Sequence, residues 1–470
     1  MKFHEPVHTA LFLLLLVGVL YLAPYLEIFL DTPEKEVRLA ELIPEIDSLQ
    51  VDYQSEEIEE SEEIEGIVEI DVIEEIKATD GFDIHCDGPF TGNASAKKKL
   101  CRFFEKLSGL KDTSEELHVF HYGDSQIEGD RITGRIRSSW QKTWGGSGPG
   151  LIPASQPIPS LALRQSHKGN IKRYTQFGRA DSTLEHNCYG GMAAFTRIYD
   201  SMSLLVKPHP VGFRKNKVWH EAEILIGGAP EGGKLTVYGE ETDSVTIEIA
   251  PSQAGSHSSV IVKLDGVKED LNFDFTGREI DVTGIKLGSG YGLVVHNIPM
   301  RGSSGTLFKK LNKDHYKKYM QHWNVGLVIL QFGGNTAPYI LDELAAMRYG
   351  KRFRKQLTYL KSILPDAAFL VIGPSDMGIS SDSTALTYPM LGAIRNEMEK
   401  VTVMEGELFW DMFEAMGGEG TMEVWAEEEP RLASPDLVHF TPKGAKVIGD
   451  LLDEAFRSEF RIWEKMVKEE

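Results

Sequence analysis

Four short stretches of this 470-residue chain carry residue types that could act together on an ester or amide carbonyl. The first is "FHYGDSQIEGDR", Phe120 to Arg131, with Ser125 at the junction between an apolar run and a more polar one. "LHVFHYGDS" reads as a strand and a turn, and "QIEGDRITGRIRSSWQKTW" reads as a helix with Ile127, Ile132 and Ile136 near one face. A serine at such a junction exposes its hydroxyl and sets its backbone N–H at a helix N-terminus, where negative charge is favoured. That geometry suits a nucleophile attacking a carbonyl. An Asp-Ser pair is equally an ordinary helix cap, so the stretch gains meaning only with partners.

A serine nucleophile needs a base, and the base needs an orienting carboxylate. "SPDLVHFTPKG" puts Asp436 and His439 three residues apart, just before a helix capped by Thr441 with Pro442 in its first position. The developing oxyanion needs donors, and two strand ends offer them: "HNIPMRGSSG" with Gly302 and "LQFGGNTAP" with Asn335. Glycines and an asparagine after strands are also common turn chemistry.

The elements that must position these residues follow from texture. "VGLVILQFGGN" and "AAFLVIGPSD" read as parallel-sheet strands, and "DELAAMRYGKRFRKQLTYLKSIL" between them as an amphipathic helix. In an open sheet of this kind working groups gather at the carboxyl ends of the strands, where Ser125 falls. Residues 195–297 differ: short alternating runs such as "GKLTVYG", "SVTIEIA" and "GLVVHNI", at close spacing, predict an antiparallel β-sandwich. The expected organisation is an α/β unit, residues 81–194 and 298–470, interrupted by that sandwich.

Two segments precede it. "TALFLLLLVGVLYLAPYL", Thr9 to Leu26, is long enough to span a bilayer, so residues 1–30 are expected to be a membrane anchor with the body exported. Residues 31–80 hold 19 Asp and Glu against 3 Lys and Arg, −16 of the net −21, and predict an extended acidic linker. The remainder is mildly acidic, without the basic patch that nucleic-acid binding requires. Cys86 and Cys101 could pair in an oxidising compartment, leaving Cys188, and no His/Cys cluster has the spacing of a metal site.

Taken in chain order, Ser125, Gly302, Asn335 and the Asp436/His439 pair resemble the sequence blocks of the SGNH (GDSL-type) hydrolases, through "GDSQ", "MRGSSG", "GGN" and "DLVHF". The resemblance implies a flavodoxin-like three-layer parallel sheet, Ser125 as nucleophile, His439 as base, Asp436 as its partner, and Ser125, Gly302 and Asn335 as oxyanion hole, with no cofactor. Gly190, Gly191 and Gly305 are rival glycines for Gly302. Gln126 and Thr336 stand where the family usually has Leu and Asp, departures that bear on substrate more than on activity.

The insertion resembles the carbohydrate-binding-like module of peptidoglycan O-acetylesterases, which implies an O-acetylated glycan of the cell envelope or exterior as substrate. Trp219, Tyr238 and Tyr291 could stack on sugars, although an aromatic in a sandwich is more often core. The same residues would serve a polysaccharide O-acetyltransferase if a sugar hydroxyl replaced water, and a non-catalytic anchored glycan-binding protein is the third reading. A lipase fits less well, because there is no GxSxG elbow.

Overall fold

Five short, almost continuously buried strands build the layer that carries the candidate residues. The computed structural model describes residues 88–469 apart from 179–180, 182, 241, 268–269 and 382–383. The predicted anchor and acidic linker, and Cys86 of the possible disulfide, lie outside the described residues. Among the described residues no helix is long and apolar enough to cross a membrane.

In chain order the strands are β1 (Glu116–Gly123), β2 (Gly150–Ile152), β3 (Leu163–Thr175), β4 (Ala194–Pro208), β5 (Trp219–Gly228), β6 (Gly233–Tyr238), β7 (Val245–Ile249) and β8 (Ser258–Val267). Then come β9 (Leu271–Thr276), β10 (Ile280–Gly288), β11 (Gly292–Pro299), β12 (Val325–Gln331), β13 (Ala368–Ile372), β14 (Gly378–Ser381), β15 (Thr384–Thr387) and β16 (Leu408–Trp410).

Five of them form a parallel sheet in the order β11-β1-β12-β13-β16. Its strands are buried on both sides, as parallel strands flanked by helices must be. Leu117 and Val119 of β1, with Leu327 and Ile329 of β12, face one core with the helices Ala94–Gly109, Thr133–Trp144 and Pro442–Glu469. Phe120 and Tyr122, with Val328 and Leu330, face the other core with the helices Glu343–Ile363 and Leu391–Met404. The two-residue period of a strand thus sorts one sequence into two cores.

The antiparallel part differs from expectation in two ways. Its strands form one continuous hydrogen-bonded sheet in the order β7-β6-β9-β4-β10-β5-β8, with β2 on β10 and β3 on β4, and not two separate sheets. Leu235 of β6 and Phe273 of β9 share a core with Ala222 of β5 and Leu264 of β8, so the sheet curls around one apolar centre. The boundaries also move. β2 and β3 precede residue 195, and "GLVVHNI", read as the last antiparallel run, is β11 and pairs in parallel with β1.

A chain of buried polar groups joins the two sheets. The Leu151 N–H of β2 donates to His296 Nδ1 at 3.0 Å, which leaves His296 Nε2 to donate to His118 Nδ1 at 3.0 Å. Both imidazoles are fully enclosed, and burial holds their pKa values below the ordinary histidine range. Beside them Lys286, 2% exposed, is ion-paired with Glu116 and lies 3.0 Å from Glu221 and 3.3 Å from Glu223. Three carboxylates around one buried cation satisfy a charge that would otherwise be costly to enclose.

Candidate active site

β1 ends at Gly123, and the chain turns at once. A Cβ at position 123 would lie 3.0 Å from the Gln331 carbonyl oxygen and 3.0 Å from the Ile127 side chain, so the glycine permits close approach of the neighbouring strand. Asp124 caps the turn: its Oδ1 accepts from the Gln126 N–H at 2.9 Å. The expected continuous helix is instead a 3₁₀ turn, Ser125–Asp130, followed by the helix Thr133–Trp144. Gly129 and Asp130 stand at φ +70° and +62°, which breaks the helical path; the buried Asp130 carboxylate is fixed by the equally buried Arg137.

Ser125 Oγ lies 2.9 Å from His439 Nε2, and His439 Nδ1 lies 2.8 Å from Asp436 Oδ2. Asp436 Oδ1 also accepts the backbone N–H groups of Val438 and His439, each at 3.0 Å. Leu437, at φ +57°, makes the tight turn that returns His439 toward its aspartate. Partial burial raises the pKa of Asp436, but the hydrogen bonds from His439 and Val438 outweigh it and hold the group at about 2. The carboxylate is therefore ionised well into the acid range. Thr441 accepts from the Gly444 N–H at 3.2 Å, the cap expected for the helix that follows.

Asn335 follows β12 in the turn Gly334–Tyr339. Its Nδ2 donates to Asp124 Oδ2 at 3.1 Å and to the Ser303 carbonyl at 3.2 Å. Asp124 is 4% exposed, and burial raises its pKa to about 6 against the opposing hydrogen bonds and the nearby His439. Gly302, at φ +77°, forms the turn that brings Ser303 to Asn335, a backbone region in which glycine is favoured. Gly190 and Gly191 pack against Tyr319, and Gly305 packs against the Phe332 ring.

A cavity of about 60 Å³ opens beside Ser125. Its polar wall is Asp124, Ser125, Gln126, Asn335, Ser375 and His439; Phe332, Pro374, Met377, Met412 and Val438 supply the apolar wall. Gly302 does not line it. The arrangement can take a proton from Ser125 and accommodate a short acyl group.

Sequence reasoning anticipated Ser125, His439, Asp436 and Asn335, and the structure brings all four together. It left Gln126 without a role and passed over Arg131, although both hydrogen-bond to the loop that carries His439. Of the three aromatics considered for sugar stacking, Trp219 is fully buried and donates to the Asn216 carbonyl at 2.7 Å, so it is core. Tyr238 is half-buried and donates to Asp274 at 3.1 Å; Tyr291 is exposed.

No protein-family model and no curated protein matches the sequence. Among solved structures, one described as a peptidoglycan O-acetylesterase in action superimposes with a TM-score of 0.60 at 20% identity, covering 80% of this chain and 99% of that one. The chain has the fold of that esterase. At 80% of this chain, that likeness takes in both the parallel and the antiparallel parts. A family two carbohydrate esterase from Clostridium thermocellum, in complex with cellohexaose, is 10% identical, with 61% of this chain and 97% of that one covered. Its TM-score is 0.24, too low to bear on the esterase fold.

Proposed function

We propose that the protein is a serine esterase that removes O-acetyl groups from a polysaccharide through an acyl-enzyme. The observation that carries the proposal is the hydrogen-bonded series Ser125, His439, Asp436, at 2.9 and 2.8 Å. His439 takes the proton of Ser125 Oγ as the oxygen attacks the acetyl carbonyl. Asp436 holds the imidazole in the tautomer with its proton on Nδ1 and stabilises the imidazolium that forms. His439 then returns its proton to the departing sugar oxygen, and the acetyl remains on Ser125. Water, deprotonated by the same imidazole, releases acetate and restores the serine.

The oxyanion is assigned to the Ser125 N–H and the Asn335 amide, which line the cavity, with the Gly302 N–H as the third donor that the SGNH resemblance implies from outside that wall. Because Asn335 gives its hydrogens to Asp124 and Ser303 at rest, it must release one of them to the oxyanion. The cavity beside Ser125 has room for an acetyl group, and the likeness to a peptidoglycan O-acetylesterase supports an envelope or extracellular glycan. Residues 1–30 anchor the protein to the cytoplasmic membrane with its body exported, residues 31–80 hold the enzyme away from the bilayer, and the curled antiparallel sheet contacts the glycan.

The test is acetate release by the full chain from p-nitrophenyl acetate and from O-acetylated peptidoglycan or xylan, beside Ser125→Ala. Release that depends on Ser125 and needs no added sugar acceptor is expected. Release only with an acceptor would mean a transferase, and release unaffected by Ser125→Ala would overturn the assignment.

A further inference from the structure

The serine and the histidine lie 314 positions apart, on separate loops, and their 2.9 Å contact requires those loops to be held in register. Asp436 cannot do this. It sits on the same turn as His439, so it orients the ring but moves with it.

Two side chains of the serine turn span the gap. Gln126 Nε2 donates to the Val438 carbonyl at 2.6 Å and reaches Ser375 Oγ at 3.4 Å. Arg131 donates through NH1 to the Phe440 carbonyl at 2.8 Å, through NH2 to the Ser125 carbonyl at 3.0 Å, and through Nε to the Glu128 carbonyl at 2.9 Å. The carbonyls on either side of His439 are thus both held from the turn that presents Ser125. One planar guanidinium grips the nucleophile's own carbonyl and the carbonyl of the residue after the base, a fork that a lysine ammonium cannot reproduce.

We propose that Gln126 and Arg131 are positioning residues that set the separation of nucleophile and base. This inference rests on the esterase reading. Neither side chain has to touch the reacting atoms. Each fixes a peptide adjoining a reacting residue, and a displacement of about 1 Å between catalytic groups can cost on the order of a hundredfold in rate. Leucine, the residue that the family resemblance puts at position 126, fills similar space but would leave the Val438 carbonyl without this donor.

The experiment compares Gln126→Leu, Arg131→Lys and Arg131→Met with the wild-type full chain. Turnover of p-nitrophenyl acetate is measured with the rate of covalent inactivation by a small phosphonofluoridate, which reports activation of the serine without glycan binding. Thermal midpoints are recorded in parallel. The expected result is a fall of roughly ten- to a hundredfold in both kcat and inactivation rate, with KM within about twofold and the pH profile unchanged in shape. Arg131→Lys should fall between wild type and Arg131→Met, because it keeps the charge and part of the donor set.

Wild-type inactivation rates in folded Gln126→Leu and Arg131→Lys would overturn the inference while leaving Ser125-dependent turnover, and the esterase reading, intact. If Arg131→Met does not fold, those two milder variants decide. Turnover that survives Ser125→Ala would overturn the esterase reading itself and this inference with it.

Discussion

Asn335 gives one amide hydrogen to the buried Asp124 carboxylate at 3.1 Å, which makes the residue before the nucleophile the support of the proposed oxyanion donor. Asn335→Ala should lower kcat by about a hundredfold with little change in KM, the cost of losing one donor from such a hole. Steady-state kinetics on p-nitrophenyl acetate check this. Asp124→Asn should also lower kcat, because a second amide would face the first donor to donor.

Asp124 also leaves a mark on stability. Its folded pKa, raised by burial to about 6, lies above the ordinary carboxylate value near 4, so the folded state binds the extra proton between those values. The stability that this group contributes is present below about pH 4 and declines as pH rises through about 6. Relative to wild type, Asp124→Asn should therefore gain up to about 3 kcal/mol between those pH values, a trend read from urea midpoints. A difference independent of pH would contradict the assignment.

Asp436 should behave in the opposite manner. With its pKa held at about 2, it stays ionised across the acid range, so loss of activity on mild acidification does not come from its own protonation. Asp436→Asn should reduce kcat by roughly 10⁴-fold, since the wrong tautomer is then favoured. Its acid limb is read from kcat/KM against pH.

Buried neutral histidines predict acid lability. Burial lowers the pKa of His118 and His296, and holds that of His121 at about 3, whereas each imidazole takes up a proton near 6.5 once unfolded. Their contribution is intact above about pH 6.5 and declines as pH falls toward 3, where His121 also charges. The three together give a slope of up to about 4 kcal/mol per pH unit. His121→Phe should remove about a third of it, whatever its effect at neutral pH.

Lys286→Met should be among the most damaging single changes. It leaves Glu116, Glu221 and Glu223 enclosed without their shared cation, a loss of about 3–5 kcal/mol of the kind seen when one partner of a buried ion pair is removed. Chemical denaturation measures it. A variant within 1 kcal/mol of wild type would mean that water reaches these carboxylates.

The sequence disclosed the parts whose chemistry lies in residue types. β1, β12 and β13 are runs bounded by turns, and Asp436 and His439 are legible because three residues are enough to bring them together. β11 misled because "GLVVHNI" reads the same whichever way its neighbour runs. β3 escaped notice because much of it is exposed, so it lacks the alternation that marks a half-buried strand. Gln126 and Arg131 were illegible for a different reason. Each reaches a backbone carbonyl of the His439 loop more than 300 positions away, and a carbonyl has no signature in sequence.

The placement of β1 between β11 and β12 governs how the site can come into being. During synthesis the nucleophile strand emerges first, and both of its neighbours follow the whole antiparallel insertion, as the pairing of Glu116 with Gly292 records. Until residue 299 has appeared, an apolar strand made for burial on both faces has no native edge to join. Such an interval is when a chain is most open to wrong pairing. The length of the inserted sheet therefore sets how long the serine strand waits for its neighbours during synthesis.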